Sequence, residues 1–369
     1  MNPKIAVIVG TRPCIIKQWS PYVNLKKNPN LDTYLIHSNQ HDVMGLQAQD
    51  TFNLTPDHVC HVFEPDRMDV SLLVSRLILE FEVAFRLIKP DLVLVHGDTS
   101  TAFAAAEAAF LQNIPIGHVE AGLRTSRFET PFPEEGFRRQ ISRIATLHFA
   151  PTSKSARNLY DEGITENVHV VGNSVVDAIS YVSKLPFSLE VKKIIDWIGI
   201  SQLVLVTCHR RESYGEPLKK LCNTIKSIAN LNPYVKIIWP VHLNSKVRDV
   251  VLGLEHDRIL LVEPQEYADF TKLMYLSDLI ITDSGGVVEE AAVLGKPTLI
   301  LREETERPEA LSLDCVELVG YDFMYLEEMA DQWLNKPPKY EENRNMFGVG
   351  DSGSEIADII SKYLLAEGK

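Results

Sequence analysis

The sequence has few cysteines, no long apolar run and little positive charge. Its 5 cysteines among 369 residues form no C-x-x-C pair, and such scattered thiols are typical of a reducing compartment and not of a disulfide framework. No apolar run approaches the roughly 20 residues that span a bilayer, and the run at residues 5–9 is too short for a signal-peptide core. We therefore expect a cytoplasmic protein without a membrane partner.

Basic residues number 37 against 50 acidic ones, which gives a formal net charge of -13. A chain of this charge repels polyphosphate backbones, so we expect no nucleic-acid partner, although a few local cations can still bind a small anion. The first strand is not followed by G-x-G-x-x-G, and H-E-x-x-H and G-x-S-x-G are also absent. The sequence therefore predicts no nicotinamide cofactor, no metal and no serine-hydrolase chemistry.

Short β-rich apolar runs alternate with longer helical patterns along the chain, which is typical of βαβ units around a parallel sheet. Helices are predicted at residues 70–88, 100–111 and 174–183, among others. Strands are predicted at residues 5–9, 33–37, 92–96, 116–119, 147–150 and 169–171, and then at 203–207, 236–239, 259–262, 279–282, 298–301 and 316–319.

The length of the chain and the restart of this pattern predict an α/β fold with two Rossmann-like domains and a cleft between them. A chain of 369 residues is too long for one ordinary hydrophobic core. We place the N-terminal domain at residues 1–172 and the C-terminal domain at residues 173–354. A C-terminal amphipathic helix at residues 355–369 is expected to pack back on the first domain.

Three carboxylates, Asp98, Glu120 and Glu134, lie at the exits of successive strand–helix units, with His96 and His118 nearby in the sequence. Ligands of parallel sheets bind beyond the carboxyl ends of the strands, so these side chains are expected to face a ligand. They can serve as general acid and base if burial separates their pKa values. Any single one also fits a helix N-cap or a surface ion pair, and their joint placement favours catalysis.

The first strand ends in the residues G-T-R-P, and Lys17 follows in the next helix. This arrangement places two cations after the strand, and Arg12 can bind phosphate oxygens with two parallel hydrogen bonds, which a lysine cannot. A strand that ends at a proline, with two surface cations beyond it, explains the same residues without a ligand.

A second candidate phosphate site is the turn Ser284, Gly285 and Gly286, which leaves a strand and opens a helix. Its glycines let a ligand approach the backbone, and the N–H groups of the helix suit a diphosphate. Glu289 and Glu290, one turn further, can accept hydrogen bonds from ribose hydroxyls. The alternatives are a tight turn with Ser284 as N-cap and a solvated face of paired glutamates.

Ten motifs along the chain together resemble one family. They are GTRP, HGDTST, GHVEAGLRT, PFPEE, FAPT, GNSVVDA, TCHRRES, PVHLN, TDSGG and ERPEA. In this order they resemble the non-hydrolysing UDP-N-acetylglucosamine 2-epimerases of bacteria and archaea, from the first strand to about Ala310. The resemblance implies the two-domain glycosyltransferase-B fold, a UDP-aminosugar substrate and a homodimer.

The resemblance also implies roles for single residues. Asp98, Glu120 and Glu134 match the family carboxylates implicated in catalysis, and His209 matches the histidine near the departing diphosphate. The other positions with an implied ligand are Arg12, Lys17, Ser284, Gly285 and Gly286 for the phosphates, Arg138 for the substrate, Glu290 for the ribose, Phe270 beside the uracil, and Gln40, Arg210 and His242 for a second, activating sugar nucleotide.

The reaction that the resemblance implies is the interconversion of UDP-N-acetylglucosamine and UDP-N-acetylmannosamine. The hydrogen at C2 of the sugar is not acidic, so a carboxylate cannot simply remove it. The family solution is elimination of UDP across C1 and C2, followed by its return to the 2-acetamidoglucal intermediate. Cations and helix N–H groups stabilise the charge on the leaving phosphate, and no redox cofactor is needed.

Four residues depart from the family pattern in or beside ligand-facing motifs. Cys14 replaces the acidic residue that usually follows GTRP, and Phe137 replaces the usual asparagine of the E-E-x-N-R stretch. Val288 replaces a glutamine before the paired glutamates, and Val43 replaces a polar residue near Gln40. The carboxylates are intact, so we expect the epimerase chemistry to survive. The accepted sugar and the activating site are where this chain can differ from the family.

Other functions fit the same sequence. A hydrolysing epimerase releases free N-acetylmannosamine, and a sibling enzyme epimerises a related UDP-aminosugar, but the G-T-R-P opening favours retention of UDP. A glycosyltransferase on this architecture passes the sugar to an acceptor and does not need three carboxylates on the sugar side. A nucleotide-sugar sensor without turnover is compatible with the replacements Cys14, Phe137 and Val288.

Overall fold

The computed structural model of the chain describes residues 2–40, 43–62, 68–125, 127–129, 131–305, 309–338 and 346–366. The chain divides into two compact units. The first unit comprises Met1–Ser180 and Met346–Lys369, and the second comprises Tyr181–Asn345. Among the helices that the structure describes, none combines the length and the apolar character required to cross a bilayer.

The strands of the first unit are β1 (Lys4–Val9), β2 (Asp32–His37), β3 (His58–Val59), β4 (Leu92–His96), β5 (Ile116–Val119), β6 (Leu147–Ala150) and β7 (Val168–Val170). They pair in parallel in the order β3-β2-β1-β4-β5-β6-β7. The helices along this part of the chain are α1 (Arg12–Lys27), α2 (Val43–Thr51), α3 (Val70–Ile88), α4 (Ser100–Leu111), α5 (Glu134–Ile144), α6 (Ser153–Asp161) and α7 (Val175–Val182).

Apolar side chains place β1 and β4 in the middle of the first sheet. Every residue of β4 is buried, as is every residue of β1 except the first, which is expected for parallel strands covered on both faces. Helix α4 consists largely of buried alanines and packs on α3, whose Leu77 and Phe81 are fully buried. This core fixes the loop between β4 and α4, where Asp98 lies.

The second unit repeats the same architecture. Its strands are β8 (Gln202–Thr207), β9 (Val235–Pro240), β10 (Ile259–Val262), β11 (Leu279–Thr282), β12 (Thr298–Ile300) and β13 (Val316–Leu318). They pair in parallel in the order β10-β9-β8-β11-β12-β13. The helices are α8 (Leu189–Ile198), α9 (Glu216–Leu231), α10 (Ser245–Val251), α11 (Tyr267–Leu276), α12 (Gly285–Leu294) and α13 (Phe323–Asn335).

The predicted α/β fold with parallel sheets is confirmed. Strands β4, β5, β6, β10 and β11 and helices α3 and α4 begin and end at the predicted residues. The other predicted strands shift by one residue at one or both ends. Strand β3 is not predicted, because a strand of two residues is too short to show an apolar periodicity. It lies at the edge of the sheet and pairs with β2.

The division into units differs from the predicted boundaries at residues 172 and 354. Residues up to Ser180 belong to the first unit, because Asp177 Oδ1 accepts hydrogen bonds from Ser20 Oγ at 2.6 Å and from Gly353 N–H at 3.1 Å. The segment that returns to the first unit begins at Met346 and not at residue 355. Its helix α14 (Ser352–Ala366) packs on α1, and residues 367–369 lie outside the described residues.

Candidate active site

The exits of β4 and β5 lie side by side because these strands are parallel neighbours in the first sheet. The N–H of Gly97 donates to the carbonyl of Val119 at 3.0 Å and extends this pairing one residue beyond β4. Asp98 and Glu120, which directly follow these residues, therefore lie at the same edge of the sheet. This is the edge at which ligands of parallel sheets bind.

Glu120 is held by two basic side chains. Lys17 Nζ contacts its Oε1, and His96 Nε2 lies 3.3 Å from its Oε2. Lys17, for which a phosphate contact is implied, is thus engaged by a carboxylate. Glu120 has a φ of 63°, a left-handed conformation that costs roughly 1–3 kcal/mol and is typical of functional sites. A Cβ at Gly97 would lie 3.3 Å from Glu120 Oε2, so glycine leaves room for the carboxylate.

Asp98 is oriented by the buried guanidinium of Arg138. Arg138 Nε donates to Asp98 Oδ2 at 2.8 Å, and Nη2 contacts the same oxygen. The Arg138 side chain is 5% exposed, whereas that of Asp98 is 22% exposed. The carboxylate is therefore fixed from the protein side and open on its other side.

Glu135 is a central residue that is not among the predicted site residues. It is fully buried, and its Oε2 accepts hydrogen bonds from the Thr125 N–H and from Arg138 Nη1, both at 3.2 Å. Arg139 Nε donates to its Oε1 at 2.7 Å. A buried carboxylate requires such partners. The signal was present in the sequence, because arginines three and four residues after a glutamate face it on a helix.

Glu134 is the first residue of α5 and is partly buried. It directly precedes Glu135 and lies one helical turn before Arg138. A carboxylate at this end of a helix is favoured by the helix dipole. Glu134, the third of the predicted catalytic carboxylates, therefore lies on the same helix as Arg138, which orients Asp98.

Two other predicted residues of the first unit lie at helix starts. Arg12 is the first residue of α1 and is partly buried. Gln40 Oε1 accepts hydrogen bonds from the Thr101 N–H at 3.1 Å and from Thr101 Oγ1 at 2.6 Å, in the first turn of α4. Gln40 therefore has a structural role at α4, and its implied contact with a second sugar nucleotide stays a prediction.

In the second unit, Asp283 organises the loop after β8, because β8 and β11 are parallel neighbours. Its Oδ2 accepts hydrogen bonds from the N–H groups of His209 and Arg210, each at 2.8 Å, and His209 Nδ1 lies 3.0 Å from its Oδ1. Burial alone would raise the pKa of Asp283, but the hydrogen bond and charge of His209 and the two N–H groups outweigh burial and lower this pKa to about 2. The ionised carboxylate fixes the His209 ring.

The His209 side chain is 41% exposed, so its second ring nitrogen can meet a ligand. Its ring stacks on that of His242 with centroids 5.6 Å apart. Burial lowers the pKa of His242. Arg210 Nε donates to the carbonyl of Asp283 at 3.1 Å. The structure therefore brings His209, Arg210 and His242 together around Asp283.

Helix α12 begins directly after Ser284. Ser284 occupies the N-cap position, but its side chain makes no capping hydrogen bond. Among the described residues, a Cβ at Gly286 would meet no heavy atom within 4 Å outside its own helix backbone and chain neighbours, so space is open beside the first turn. The N–H groups of an uncapped first turn suit an anion. The alternative prediction, in which the Ser284 side chain caps the helix, is therefore wrong.

Glu289 and Glu290 are 1% and 7% exposed, so the alternative of a solvated face is also wrong. Phe270 on α11 is partly buried and packs against the apolar cluster that contains Leu273 and Ile280. Phe270 therefore has a packing role. Its implied contact with uracil stays a prediction.

The replacements in ligand-facing motifs pack in the interior. Cys14 Sγ donates to a backbone carbonyl of β1, and burial raises the pKa of this thiol to about 12. Phe137 stacks on Phe103 with ring centroids 4.4 Å apart and planes 8° apart. Val288 is 1% exposed, and the side chain of Val43 lies outside the described residues. The three described replacements therefore support the apolar core.

The predicted site residues are distributed over both units. In the part of the chain that the structure describes, no three metal-ligating side chains cluster. Residues 306–308 of the ERPEA motif lie outside the described residues. The first unit contains Arg12, Lys17, Gln40, Asp98, Glu120, Glu134 and Arg138, and the second contains His209, Arg210, His242, Phe270, Ser284, Gly285, Gly286 and Glu290.

Comparisons with known proteins agree over nearly the whole chain. The model of the UDP-N-acetylglucosamine 2-epimerase family matches residues 23–361. The UDP-N-acetylglucosamine 2-epimerase of Bacillus subtilis is 38% identical over 362 residues, which cover 96% of this chain and 94% of that protein.

Solved structures give the same result. The crystal structure of UDP-GlcNAc 2-epimerase from Neisseria meningitidis bound to UDP-GlcNAc matches with a TM-score of 0.88 and 36% identity, covering 97% of this chain and 100% of that one. The Methanocaldococcus jannaschii UDP-GlcNAc 2-epimerase in complex with UDP-GlcNAc and UDP matches with a TM-score of 0.83 and 32% identity, covering 97% and 99%.

Proposed function

Because this chain belongs to the UDP-N-acetylglucosamine 2-epimerase family, we propose that Asp98, Glu120 and Glu134 carry out the proton transfers of its reaction. The chain is an isomerase that interconverts UDP-N-acetylglucosamine and UDP-N-acetylmannosamine. The observation that carries the proposal is the pair of carboxylates at one edge of the first sheet, each in contact with a buried cation.

The chemistry requires two kinds of group. Elimination breaks the bond between C1 and the phosphate oxygen while a base removes the hydrogen at C2, which leaves UDP and 2-acetamidoglucal. For epimerisation, UDP must then return to C1 while an acid delivers a proton to the opposite face of C2. Because the proton leaves from one face and returns to the other, two acid–base groups are needed.

We assign one of these roles to Asp98. Its side chain is 22% exposed and is oriented by Arg138, so it can reach a substrate from a fixed position. Glu120 is 9% exposed and contacts Lys17 and His96, which supports a role in the second proton transfer. Glu134 lies on the helix that carries Arg138 and is the third candidate.

The leaving diphosphate is assigned to the first turn of α12. Ser284 leaves this turn without a side-chain cap, and the open space at Gly286 admits an anion. Backbone donors aimed at the oxygen on which charge develops stabilise a transition state by a few kcal/mol each. Gly285, directly between them, supplies a further N–H. Arg12 is also assigned to the phosphates, to which it would add a positively charged side chain.

His209 is assigned to the same leaving group. His209 Nδ1 lies 3.0 Å from Asp283 Oδ1, so the other ring nitrogen, Nε2, is directed away from Asp283. An imidazole held in this way can donate to a phosphate oxygen or transfer a proton to it. Glu290, buried on α12, is assigned to the ribose, and Phe270 to the uracil.

The test is epimerisation in deuterated water, followed by proton NMR. We expect UDP-N-acetylmannosamine and recovered UDP-N-acetylglucosamine, both with deuterium at C2. If the substrate UDP-N-acetylglucosamine carries ¹⁸O between C1 and the β-phosphorus, cleavage of the C1–O bond also scrambles the label into the non-bridging positions of that phosphate. Free N-acetylmannosamine and UDP as sole products identify a hydrolysing enzyme, turnover only with an added acceptor identifies a transferase, and UDP binding without exchange identifies a sensor.

Two further points belong to the proposal. A cytoplasmic location is supported by the scattered, unpaired pattern of the cysteines.

A homodimer is supported by an apolar stripe on α3, where Leu72, Leu79, Val83 and Leu87 are 46–70% exposed. We propose that this stripe packs on the same stripe of a second copy, since an antiparallel pairing about Leu79 sets Arg76 opposite Glu82.

A further inference from the structure

We infer that His118 is a positioning residue, which fixes the turn that presents Asp98 to the sugar; this inference rests on the proposed function. His118 lies on β5 and is fully buried. Its Nε2 lies 2.9 Å from the carbonyl oxygen of Gly97. That carbonyl belongs to the peptide group that joins Gly97 to Asp98.

The direction of the hydrogen bond follows from the charge of the ring. Burial lowers the pKa of His118 to about 3, so the imidazole is neutral near pH 7 and carries one N–H. A carbonyl oxygen only accepts, so the hydrogen is on Nε2 and is donated to Gly97. In the described part of the chain, Nδ1 has no hydrogen-bond partner. The bond to Gly97 is therefore the polar contact that orients the ring.

The N–H and the carbonyl of Gly97 both form hydrogen bonds with residues of β5. Its N–H donates to the carbonyl of Val119 at 3.0 Å, and its carbonyl accepts from the His118 ring. Gly97 has a φ of 67°, and a glycine changes between positive and negative φ at little cost unless its peptide groups are held. Because the peptide plane after Gly97 sets the direction of the Asp98 side chain, loss of the hydrogen bond from the ring loosens Asp98, one of the proposed proton-transfer groups.

The same turn also connects the contacts of the two carboxylates Glu120 and Asp98. His96, directly before Gly97, lies 3.3 Å from Glu120, and Asp98, directly after it, contacts Arg138. A shift of about 1 Å in such a group can lower a rate by about a hundredfold. The expected effect is thus on kcat, because this turn positions a proposed proton-transfer group, whereas UDP binding is assigned to other residues.

The experiment compares His118→Gln with His118→Asn. The glutamine amide nitrogen sits about where Nε2 does and can donate to Gly97, whereas the asparagine amide is one methylene shorter. We expect His118→Asn to lower kcat for C2 exchange by about a hundredfold, with KM and UDP affinity within about threefold. His118→Gln should restore kcat to within about fivefold of the wild type.

The control is His148→Phe, compared with His118→Phe. His148 is the register partner of His118 on β6 and is 2% exposed, so both changes remove a buried imidazole. Thermal unfolding of each variant reports the loss of stability. The inference predicts similar losses of stability but a loss of kcat only at His118.

Three results overturn the inference: wild-type kcat in His118→Asn, equal losses in the Gln and Asn variants, or an equal loss in His148→Phe. If the Asn variant is unfolded at the assay temperature, the Gln variant decides alone, and a kcat below about a tenth of the wild type rejects the role. A failure of the proposed function is distinct, because the wild-type enzyme itself then exchanges no C2 hydrogen.

Discussion

His209 Nδ1 and Asp283 Oδ1 lie 3.0 Å apart, and this contact links the ionisation of Asp283 to the stability of the second unit. The pKa of Asp283 is lowered from 3.8 to about 2 despite burial, which alone would raise it. A carboxyl whose pKa is lower in the folded state stabilises the fold above its unfolded pKa. This contribution is lost as the pH falls through the folded pKa.

We therefore expect Asp283→Asn to lower the free energy of unfolding by about 2 kcal/mol near pH 7, since one pKa unit corresponds to about 1.4 kcal/mol. The difference from the wild type should shrink as the pH falls from about 4 to about 2. Urea unfolding followed by tryptophan fluorescence suits this test, because Trp197, Trp239 and Trp333 belong to the second unit. The exposed Asp257→Asn is the control. A difference that stays constant across this pH range contradicts the prediction.

Asp98→Asn should abolish C2 exchange and leave UDP binding within about twofold, because the amide cannot take a proton but can keep a hydrogen bond to Arg138. General acid–base groups contribute roughly 10²–10⁴-fold to a rate, so exchange should fall at least a hundredfold. Deuterium uptake and titration calorimetry with UDP measure the two quantities. Asp50→Asn, an exposed change in the same unit, is the control. Retained exchange removes Asp98 from the mechanism.

Gly286→Ala should weaken UDP binding by about tenfold, or about 1.4 kcal/mol. The added methyl group meets none of the described residues outside its own helix within 4 Å and enters the space beside the first turn of α12. The unfolding temperature should hold or rise, because alanine favours helices over glycine by up to about 1 kcal/mol. The control is Gly253→Ala, whose Cβ would make an ordinary contact at 3.6 Å. Unchanged UDP affinity in Gly286→Ala would place the diphosphate elsewhere.

Phe137→Asn, which restores the residue usual in the family, should destabilise the first unit by about 3 kcal/mol. Truncating a buried phenylalanine costs about 3–5 kcal/mol, and the stack on Phe103 is lost as well. Thermal unfolding measures the change, and Phe137→Leu should lose less because it keeps apolar volume. An Asn variant as stable as the wild type would show that the stack contributes nothing.

Leu79→Glu should convert the proposed dimer to monomers, because it places a charge in the centre of the exposed stripe on α3. Leu79 is 59% exposed, so the change leaves the core of one chain intact. Light scattering after size-exclusion chromatography gives the mass. Leu252→Glu, at 53% exposure in the second unit, is the control. A dimer that survives the Leu79 change requires a different interface.

The sequence predicts the strands and helices well because buried parallel strands read as short apolar runs between glycine and polar residues. It also predicts that Asp98 and Glu120 follow two strands of the sheet, and the structure shows that these strands, β4 and β5, are neighbours. It does not predict that Lys17 contacts Glu120, 103 residues away, or that Gln40 caps α4 through Thr101. These pairings depend on the three-dimensional packing of distant segments, which local periodicity does not encode.

The hydrogen bond from Gly353 to Asp177 joins residues 176 positions apart, and both belong to the first unit. During synthesis the ribosome completes the whole second unit before Gly353 emerges. The first unit must therefore wait, with Ser20 and Asp177 still uncovered, until the segment that begins at Met346 has been synthesised. Helix α14, which completes the first unit, follows the second unit in the chain, so the second unit can finish its own folding before the first.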